Sequence, residues 1–192
     1  MNAPRADDQS TRRTLLRCAK FNVEAITLPG RDGTPIERQV IRHPGAVVIL
    51  PILETTGNPR RVVFIRNRRV AVGKQLLELP AGTLEPGEDP ALTAARELEE
   101  ETGYAAQEII PLGRFYTTPG MTDELMHAYA ATGLREVGQR LEADEEIEVE
   151  LLDEHEAIAA ANNGRLEDGK SMLAVLLAET RGMIRNSGGV RA

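Results

Sequence analysis

The apolar run at residues 46–53 constrains the fold of this chain more than any other segment. Its residues, AVVILPIL, are apolar at every position, whereas a strand with one solvated face alternates apolar and polar side chains. A second β-branched run at residues 61–66 follows a turn at residues 55–59 and can pair with the first as a hairpin. We therefore predict a strand at residues 46–52 that is buried on both faces of a sheet.

The order of the remaining elements predicts the fold class. One helix should run from Pro90 to about Thr102, because Asp89 can cap it, proline suits its first position, and Gly103 suits its end. Further strands are predicted at residues 21–28, 36–41, 75–79, 109–116, 125–131 and 147–152, and further helices at residues 154–161 and 171–184. Strands interrupted by one helix and closed by two more indicate an α/β sandwich with a mixed sheet, preceded by an N-terminal β-hairpin.

Composition excludes several classes of protein. The 30 acidic and 23 basic side chains give a net charge of −7, the wrong sign for a protein that neutralises many nucleic-acid phosphates. With three Phe, three Tyr and no Trp, the chain offers no evident aromatic platform for stacking successive bases. The N-terminus has no signal-peptide pattern, no apolar stretch approaches the roughly 20 residues that span a bilayer, and the single cysteine is Cys18. We expect a cytoplasmic protein without nucleic-acid or membrane partners.

The predicted helix at residues 90–102 carries a cluster of carboxylates. At 100° per residue, Glu97, Glu100 and Glu101 share an arc of about 100° on one helix face. Carboxylates three or four residues apart destabilise a helix by roughly 0.2 to 0.5 kcal/mol per pair, and only Arg96 is close enough to offset them. Clustered carboxylate oxygens suit hard divalent cations such as magnesium. A solvated acidic face is the plain alternative.

The spacing around this helix resembles the Nudix box. That box is Gly, five residues, Glu, seven residues, Arg-Glu, an aliphatic residue, any residue, Glu-Glu, any residue, Gly, and an aliphatic or aromatic residue. The matching fixed positions are Gly82, Glu88, Arg96, Glu97, Glu100, Glu101 and Gly103. A chance match is on the order of one in 10⁸ per starting point if each position matches roughly once in fifteen. The resemblance implies a Nudix-type α/β/α sandwich and a metal-dependent pyrophosphohydrolase.

The resemblance also implies roles for residues of the box. The metal ligands would be the backbone carbonyl of Ala81 and the side chains of Glu97, Glu100 and Glu101, and the ion would be Mg²⁺ or Mn²⁺. Arg96 would act with Glu100 and Glu101 in catalysis, bracing the loop–helix–loop together with Glu88. Gly82 and Gly103 would be required by backbone geometry rather than by contact. A pyrophosphate beside an acidic helix face needs intervening cations, which agrees with these roles.

Segments outside the box resemble the ADP-ribose pyrophosphatase branch of the family. They lie at residues 43–47, 77–82 and 118–124, and the last would contribute substrate contacts from Pro119, Gly120 and Glu124. By the same resemblance, Phe21 would pack on adenine, while Glu37 and Arg38 would contact the base or ribose. Strand packing is the alternative role of Phe21, and a Pro-Gly pair alone indicates only a turn.

Two arginines stand where that branch has the sequence Arg-Gln-Tyr-Arg. They are Arg66 and Arg69, and both are candidate substrate-binding residues. The middle pair here is Asn67-Arg68, a departure that bears on contacts to the terminal sugar of the substrate. A solvated surface charge is the alternative role of either arginine.

An acidic run at residues 144–146 precedes the predicted strand at 147–152. It corresponds to the loop that supplies a further catalytic glutamate in this branch. We choose Glu145 as general base or auxiliary metal ligand, because it lies two residues before the strand, and Glu142 and Glu146 remain alternatives. Without the resemblance, a charged loop of this kind is more often only solvated.

The resemblance covers residues 21–184 and implies a homodimer whose N-terminal hairpins cross to the partner. We therefore divide the chain into a disordered tail at 1–13, a hairpin region at 14–45 that is exchanged in the dimer, a Nudix hydrolase domain at 46–185 and a disordered tail at 186–192. The expected reaction is hydrolysis of ADP-ribose, or of a related nucleoside diphosphate sugar, to AMP and ribose 5-phosphate. The alternatives are a Nudix hydrolase of another nucleotide and a non-catalytic ADP-ribose-sensing module.

Overall fold

A computed structural model of the chain describes residues 11–143 and 145–185, which divide into two compact units. Residues 11–45 and 116–125 form the N-terminal unit. The remaining described residues, 46–115, 126–143 and 145–185, form the second unit, which contains the predicted Nudix box. The predicted tail at residues 186–192 and the first ten residues of the predicted N-terminal tail lie outside the described residues.

The N-terminal unit contains a three-stranded antiparallel sheet. Its strands, in spatial order, are β1 (Thr11–Arg17), β2 (Asn22–Pro29) and β3 (Pro35–Arg42). The β2–β3 pair is the predicted hairpin, and Gly33 provides the positive φ of 83° that its turn requires. Strand β1 corrects the prediction that residues 11–13 belong to a disordered tail, since Thr11 and Arg13 pair with Thr27 and Ala25. The pairing was missed because β1 is exposed and carries no apolar alternation.

The segment at residues 116–125 belongs with this sheet, although the sequence-based division had included it in the domain at 46–185. Ile41 donates its backbone N–H to the carbonyl of Met121 at 2.9 Å. The carboxylate of Asp123 accepts a bond from the backbone of His43 and another from Nη1 of Arg42, each at 2.9 Å. These bonds fasten the segment to the end of β3, which explains why it separates from the strands that flank it in sequence.

The second unit is built on a seven-stranded mixed sheet. Its strands are β4 (Ala46–Leu53), β5 (Arg61–Arg69), β6 (Lys74–Glu78), β7 (Ala81–Thr83), β9 (Glu108–Tyr116), β10 (Leu125–Thr132) and β12 (Ile147–Asp153). The spatial order is β12-β5-β4-β10-β9, with β6 beside β5 and β7 beside β4. Strand β10 runs parallel to β4, whereas β5 and β7 run antiparallel to it, so the predicted mixed sheet is confirmed. Two short strands, β8 (Tyr104–Ala105) and β11 (Arg135–Glu136), pair separately.

Helices cover both faces of this sheet. They are α1 (Pro90–Thr102), α2 (Glu154–Asn163) and α3 (Gly169–Thr180). Val47 and Ile49 of β4 pack against α1, whereas the alternate residues Val48 and Leu50 belong to the cluster formed with α2 and α3. Strand β4 is therefore buried on both faces, as predicted, and the α/β sandwich is confirmed. No helix in the described part of the chain is long and apolar enough to cross a membrane.

Helix ends follow local capping chemistry. The Asp89 carboxylate accepts a bond from Ala91 N, and Gly103 ends α1 with a φ of 75°, both as predicted. Helix α3 ends at Thr180 rather than at the predicted residue 184. The reason is Gly182, whose φ of 68° turns the chain out of the helix. Ile184 is apolar and fully buried, so it continued the apolar pattern without continuing the helix.

Candidate active site

A buried hydrogen bond joins the acidic face of α1 to β7. Leu98 packs α1 against Val47 and Ile49 of β4, and β7 pairs with the start of the same strand. As a result, Oε2 of Glu101 accepts a bond from the backbone N–H of Ala81 at 2.9 Å. Glu101 is only 3% exposed. The sheet thus brings together two of the predicted metal ligands, which lie twenty residues apart in sequence.

The two glycines of the box have different reasons to be glycine. A Cβ added to Gly82 would overlap the side-chain carboxyl of Glu97, while the backbone of Gly82 is not among the positive-φ glycines. The prediction that Gly82 is needed for backbone geometry is therefore wrong, since the residue makes room for Glu97. Gly103 does have a positive φ of 75°, and a Cβ there would lie 2.8 Å from Gln139 N. Close contact thus adds to its conformational requirement.

Arg96 binds three of the surrounding carboxylates. Its Nη1 lies 2.8 Å from Oε1 of Glu97 and 3.0 Å from Oε2 of Glu100. Its Nη2 lies 3.5 Å from Oε2 of Glu88, in the loop that precedes the helix. Burial lowers the pKa of Arg96, but the charge of Glu97 and the hydrogen bonds to Glu100 and Glu88 raise it further, so the guanidinium is firmly cationic. These contacts correspond to the bracing that the resemblance implied.

Negative charge exceeds positive charge along this face. Burial raises the pKa of Glu101 to about 8. The hydrogen bond from Ala81 opposes this rise, and the negative charges of Glu97 and Glu145 add to it. Burial also raises the pKa of Glu97, where the charges of Glu100 and Glu145 oppose the effect of Arg96. Buried carboxylates that lack sufficient cations are stabilised by a hard divalent ion with oxygen ligands. The donor set therefore fits a hard divalent cation.

The carboxylates of Glu97, Glu100 and Glu101 do not converge on one point in this structure. Within residues 11–143 and 145–185, no three Asp, Glu, His or Cys side chains form a group in metal-ligand geometry. Arg96 occupies the oxygens of Glu97 and Glu100, and Glu101 is directed at the backbone of Ala81. A cation shared by these glutamates would therefore require them to exchange protein contacts for metal contacts.

The chain after β11 returns to the end of α1 and satisfies its last carbonyls. Val137 N and Gly138 N donate to the carbonyl of Gly103 at 2.7 and 3.1 Å. Gln139 Nε2 donates to the carbonyl of Glu101 at 2.7 Å, and Arg140 N donates to that of Glu100 at 3.0 Å. These bonds fix the start of the acidic loop at the end of α1. No local pattern in the sequence indicated this role for residues 137–140.

Glu145 is the loop glutamate that faces the helix. Its charge raises the pKa of both Glu97 and Glu101. Its Oε2 accepts a bond from Glu142 N at 2.9 Å, which folds the loop into a turn. Glu142 and Glu146 are exposed, whereas Glu145 is half-buried. The geometry therefore favours Glu145 among the three candidates, and Asp144 lies outside the described residues.

Comparison with known proteins decides the family. The NUDIX domain model matches residues 42–175. The chain belongs to the Nudix family. It is 39% identical to the methanol dehydrogenase activator of Bacillus methanolicus over 161 residues, 83% of this chain and 84% of that protein. It is 34% identical to the ADP-ribose pyrophosphatase of Bacillus subtilis over 155 residues, 80% of each chain.

The fold also matches that of a solved structure. A crystal structure of an ADP compounds hydrolase superposes with a TM-score of 0.76, covering 94% of this chain and 95% of that one at 21% identity. At that identity the likeness concerns the fold alone. The predictions of a Nudix fold and of a Nudix pyrophosphohydrolase are confirmed by the family and its relatives.

The two candidate arginines of the Nudix domain differ in their surroundings. Arg66 Nε lies 2.6 Å from Oε2 of Glu150 on β12, a carboxylate that also binds Arg165. Arg69 donates from Nε and Nη2 to Glu78, and its pKa is raised by that pairing and, more weakly, by the charge of Glu101. Side chains alternate along β5, so the two arginines project from opposite faces of it. Arg69 is therefore the one associated with the Nudix-box glutamates.

The remaining predicted substrate residues lie in the N-terminal unit. Phe21 precedes β2 and is 38% exposed. Glu37 and Arg38 lie on β3, where the Glu37 carboxylate accepts a bond from Gln39 Nε2 at 3.0 Å. In the segment at 116–125, Oε2 of Glu124 accepts a bond from Thr117 Oγ1, and Pro119 and Gly120 form its turn. These residues share one unit because Asp123 ties the segment to β3, a role that the sequence did not indicate.

Proposed function

We propose that this Nudix enzyme hydrolyses the pyrophosphate bond of ADP-ribose, giving AMP and ribose 5-phosphate. The observation that carries the proposal is the excess of carboxylates around Glu101, whose pKa burial raises to about 8 within an intact Nudix box. A pyrophosphate is anionic, so it can occupy such a face only with cations between. The ADP-ribose pyrophosphatase of Bacillus subtilis, a relative matched over 80% of each chain, supports ADP-ribose as the substrate.

The proposed metal ligands are Glu97, Glu100, Glu101 and the Ala81 carbonyl, and the proposed ion is Mg²⁺ or Mn²⁺. Such an ion would polarise the attacked phosphoryl group and lower the pKa of the attacking water. Arg96 holds Glu97 and Glu100 on one side of the helix. The bond from Ala81 N orients the Glu101 carboxylate. These contacts keep the carboxylates on one face of the helix, and metal binding would replace some of them.

Glu145 is the proposed general base. Its half-buried carboxylate lies in a loop whose start is fastened to the end of α1, and it is free of the Arg96 contacts that occupy Glu97 and Glu100. The oxygen of water forms a bond to one phosphorus, the bond from that phosphorus to the bridging oxygen breaks, and Glu145 takes a proton from the water. Attack on either phosphorus gives the same two products.

We propose that substrate recognition uses the N-terminal unit and a homodimer. Among the described residues of β1, β2 and β3, Ala25 alone is buried. Apolar side chains on and beside this sheet are exposed, including Leu16 at 55% and Phe21 at 38%. A three-stranded sheet without a core of its own is stabilised by another apolar surface. A second copy of the sheet would supply that surface and complete the adenosine pocket proposed for Phe21, Glu37 and Arg38.

A substrate panel tests the proposal. Turnover of ADP-ribose, other nucleoside diphosphate sugars and an oxidised nucleotide would be measured with Mg²⁺, with Mn²⁺ and with a chelator. We expect the highest kcat/KM for ADP-ribose, AMP and ribose 5-phosphate as products, and no turnover with the chelator. If another compound has a kcat/KM at least about tenfold higher, that compound and not ADP-ribose is the preferred substrate. Tight binding of ADP-ribose without turnover of any compound would support the sensing module instead. Cytoplasmic location and the absence of nucleic-acid partners stay predictions from the sequence.

A further inference from the structure

A fully buried carboxylate in the Nudix domain binds two cationic side chains. Glu78, at the end of β6, is 1% exposed and lies outside the Nudix box. Its Oε1 accepts a bond from Arg69 Nε at 2.8 Å. Its Oε2 accepts bonds from Arg69 Nη2 at 2.6 Å and from Lys170 Nζ at 2.7 Å. Glu78 therefore joins the end of β5 to the first turn of α3.

The first turn of α3 holds the lysine in place. Lys170 Nζ also donates to Oδ2 of Asp168 at 2.8 Å. Asp168 caps α3 by accepting bonds from the backbone and hydroxyl of Ser171. Leu79, the residue after Glu78, donates its N–H to Ser171 Oγ at 2.7 Å. The helix thus fixes both the side-chain partner of Glu78 and the backbone beside it.

Stability is a weak reason for such an arrangement. Removing charged groups from water costs free energy that their mutual attraction only partly offsets, and apolar residues of similar volume often stabilise a protein equally well. Here the network includes two carboxylates and two cations, and Lys170 is only 13% exposed. Its members are instead suited to holding one another in a fixed orientation, because Glu78 binds Arg69 through both carboxylate oxygens and Lys170 binds both Glu78 and Asp168.

Arg69 is the member that reaches the surface. Its side chain is 41% exposed, against 1% for Glu78. In the described parts of the chain, its Nη1 donates to no protein acceptor, whereas Nε and Nη2 both bind Glu78. Glu78 lies three residues before Ala81, whose N–H binds the Glu101 carboxylate, so the guanidinium held by Glu78 lies near the backbone that contacts the acidic face of α1. A guanidinium held by one edge presents its other edge as a planar donor for phosphate oxygens.

We propose that Glu78 and Lys170 are positioning residues that hold Arg69 so that its free edge binds the diphosphate of the substrate. The inference rests on the proposed function, since it requires a diphosphate beside the Nudix-box glutamates. Lys170 acts through Glu78, and Asp168 and Ser171 connect that pair to α3. The orientation of Arg69 toward the substrate therefore depends on a helix on the other side of the sheet from α1.

A double-mutant cycle with Lys170→Met and Arg69→Met tests the proposal. Arg69→Met should lower kcat/KM roughly 10- to 100-fold, as expected for loss of charge-assisted hydrogen bonds. Lys170→Met should lower it about tenfold, mainly through a higher KM, because the lost contact binds ground and transition states alike. In the Arg69→Met background, Lys170→Met should have no further effect on kcat/KM. Lys170→Arg should restore most of the activity.

Lys74→Met provides the matched control. Lys74 also lies on β6, and it pairs with Glu167 next to the N-cap of α3, but both side chains are at least half exposed. Its removal should leave kcat/KM unchanged. The thermal unfolding midpoint of each variant is measured as well. A variant that has lost its fold would show a lower midpoint, and its kcat/KM would fall in both the wild-type and the Arg69→Met background.

Two results separate failure of the inference from failure of the proposed function. Equal fold-losses for Lys170→Met in the wild-type and Arg69→Met backgrounds, with turnover of a nucleoside diphosphate sugar intact in the wild type, would overturn the positioning role alone. Absence of turnover by the wild type on every compound of the panel would overturn the proposed function and the inference with it.

Discussion

The two units of the chain bury their proposed functional groups to very different degrees. In the second unit, Glu101 is 3% exposed and accepts a bond from the backbone of β7. In the N-terminal unit, Phe21 is 38% exposed and lies beside a sheet in which Ala25 is the one buried residue among those described. The first region encloses its polar groups by itself, while the second presents apolar groups to solvent.

This difference separates the requirements of chemistry from those of recognition. Removal from water by the surrounding chain raises the pKa of a carboxylate strongly, as the layers around α1 do for Glu101. A sheet without a core cannot provide such burial. It can provide an apolar surface and hydrogen-bonding side chains that a substrate or a second copy of the chain completes. We therefore expect substitutions of Glu101 and Glu145 in the second unit to lower kcat, and those in the N-terminal unit to act through association and KM.

The largest expected effect is that of Glu101→Gln. It should lower metal-dependent turnover on the order of 10³-fold, since a bound metal contributes several kcal/mol of transition-state stabilisation. The fold should be retained, because the amide oxygen can still accept the bond from Ala81 N. Glu99→Gln, the same change on the same helix at a residue paired with Arg140, should leave turnover within a factor of about two. Near-normal turnover of Glu101→Gln at limiting Mg²⁺ would contradict the metal assignment.

Glu145→Gln should have the next largest effect. Loss of a positioned general base lowers kcat by about 10²-fold or more, with less effect on substrate binding. Glu142→Gln and Glu146→Gln are the matched controls from the same loop and should have smaller effects, because both side chains are exposed. Steady-state kinetics of the three variants tests the assignment. If Glu145→Gln keeps the wild-type kcat and either Glu142→Gln or Glu146→Gln loses it, the role of general base belongs to the residue whose substitution lowers kcat.

Leu16→Asp tests the proposed recognition surface of the N-terminal unit. Leu16 is 55% exposed in the single chain and would be buried against the second copy in the proposed dimer. A charge at this position should therefore weaken the dimer and raise KM about tenfold, with kcat little changed. Leu92→Asp, at a leucine on α1 that is 67% exposed, should alter neither. Molecular mass in solution and KM would be measured for both variants. A monomeric wild type with full activity would refute the exchanged dimer.

Asp123→Asn should have the smallest effect, and that effect should depend on pH. Burial raises the pKa of Asp123, but bonds from His43 N and Arg42 outweigh burial and lower it below its ordinary value. The carboxylate therefore stabilises the fold above its unfolded pKa of about 3.9, and this stabilisation is lost as pH falls through the lower folded pKa. The side chain is 41% exposed, so solvent screening limits the effect to less than about 1 kcal/mol.

Thermal unfolding of wild type and Asp123→Asn at pH 7 and near pH 3 measures this difference. The variant should unfold at a lower temperature at pH 7, and the two midpoints should approach each other in acid. A constant difference across this range would show that the carboxylate charge of Asp123 does not hold the segment at 116–125 to β3.

Most of the fold follows from local patterns in the sequence. The uninterrupted apolar run of β4 required layers on both faces, and capping by Asp89 and Gly103 determined the ends of α1. Strand β1 was missed because its pairing depends on backbone hydrogen bonds and leaves no apolar alternation. The end of α3 was missed because Ile184 extends the apolar pattern past Gly182.

The acidic helix face could be predicted because Glu97, Glu100 and Glu101 lie within one turn and a half of a helix, in a recognisable spacing. Other parts of the site depend on contacts between distant residues. Gln139 reaches the carbonyl of Glu101 across 38 positions of sequence, and Lys170 reaches Glu78 across 92. No local periodicity records such pairs, so the structure was needed to find the support of the acidic loop and of Arg69.

The most direct test of the central claim is the fate of solvent oxygen during turnover of ADP-ribose. The reaction would be run in ¹⁸O-labelled water with Mg²⁺, and AMP and ribose 5-phosphate would be analysed by mass spectrometry and ³¹P NMR. Metal-assisted attack of water on phosphorus predicts one solvent oxygen in the phosphate of one of the two products, and no products when the metal is chelated. Products without label on phosphorus, or turnover that persists in the chelator, would contradict the account.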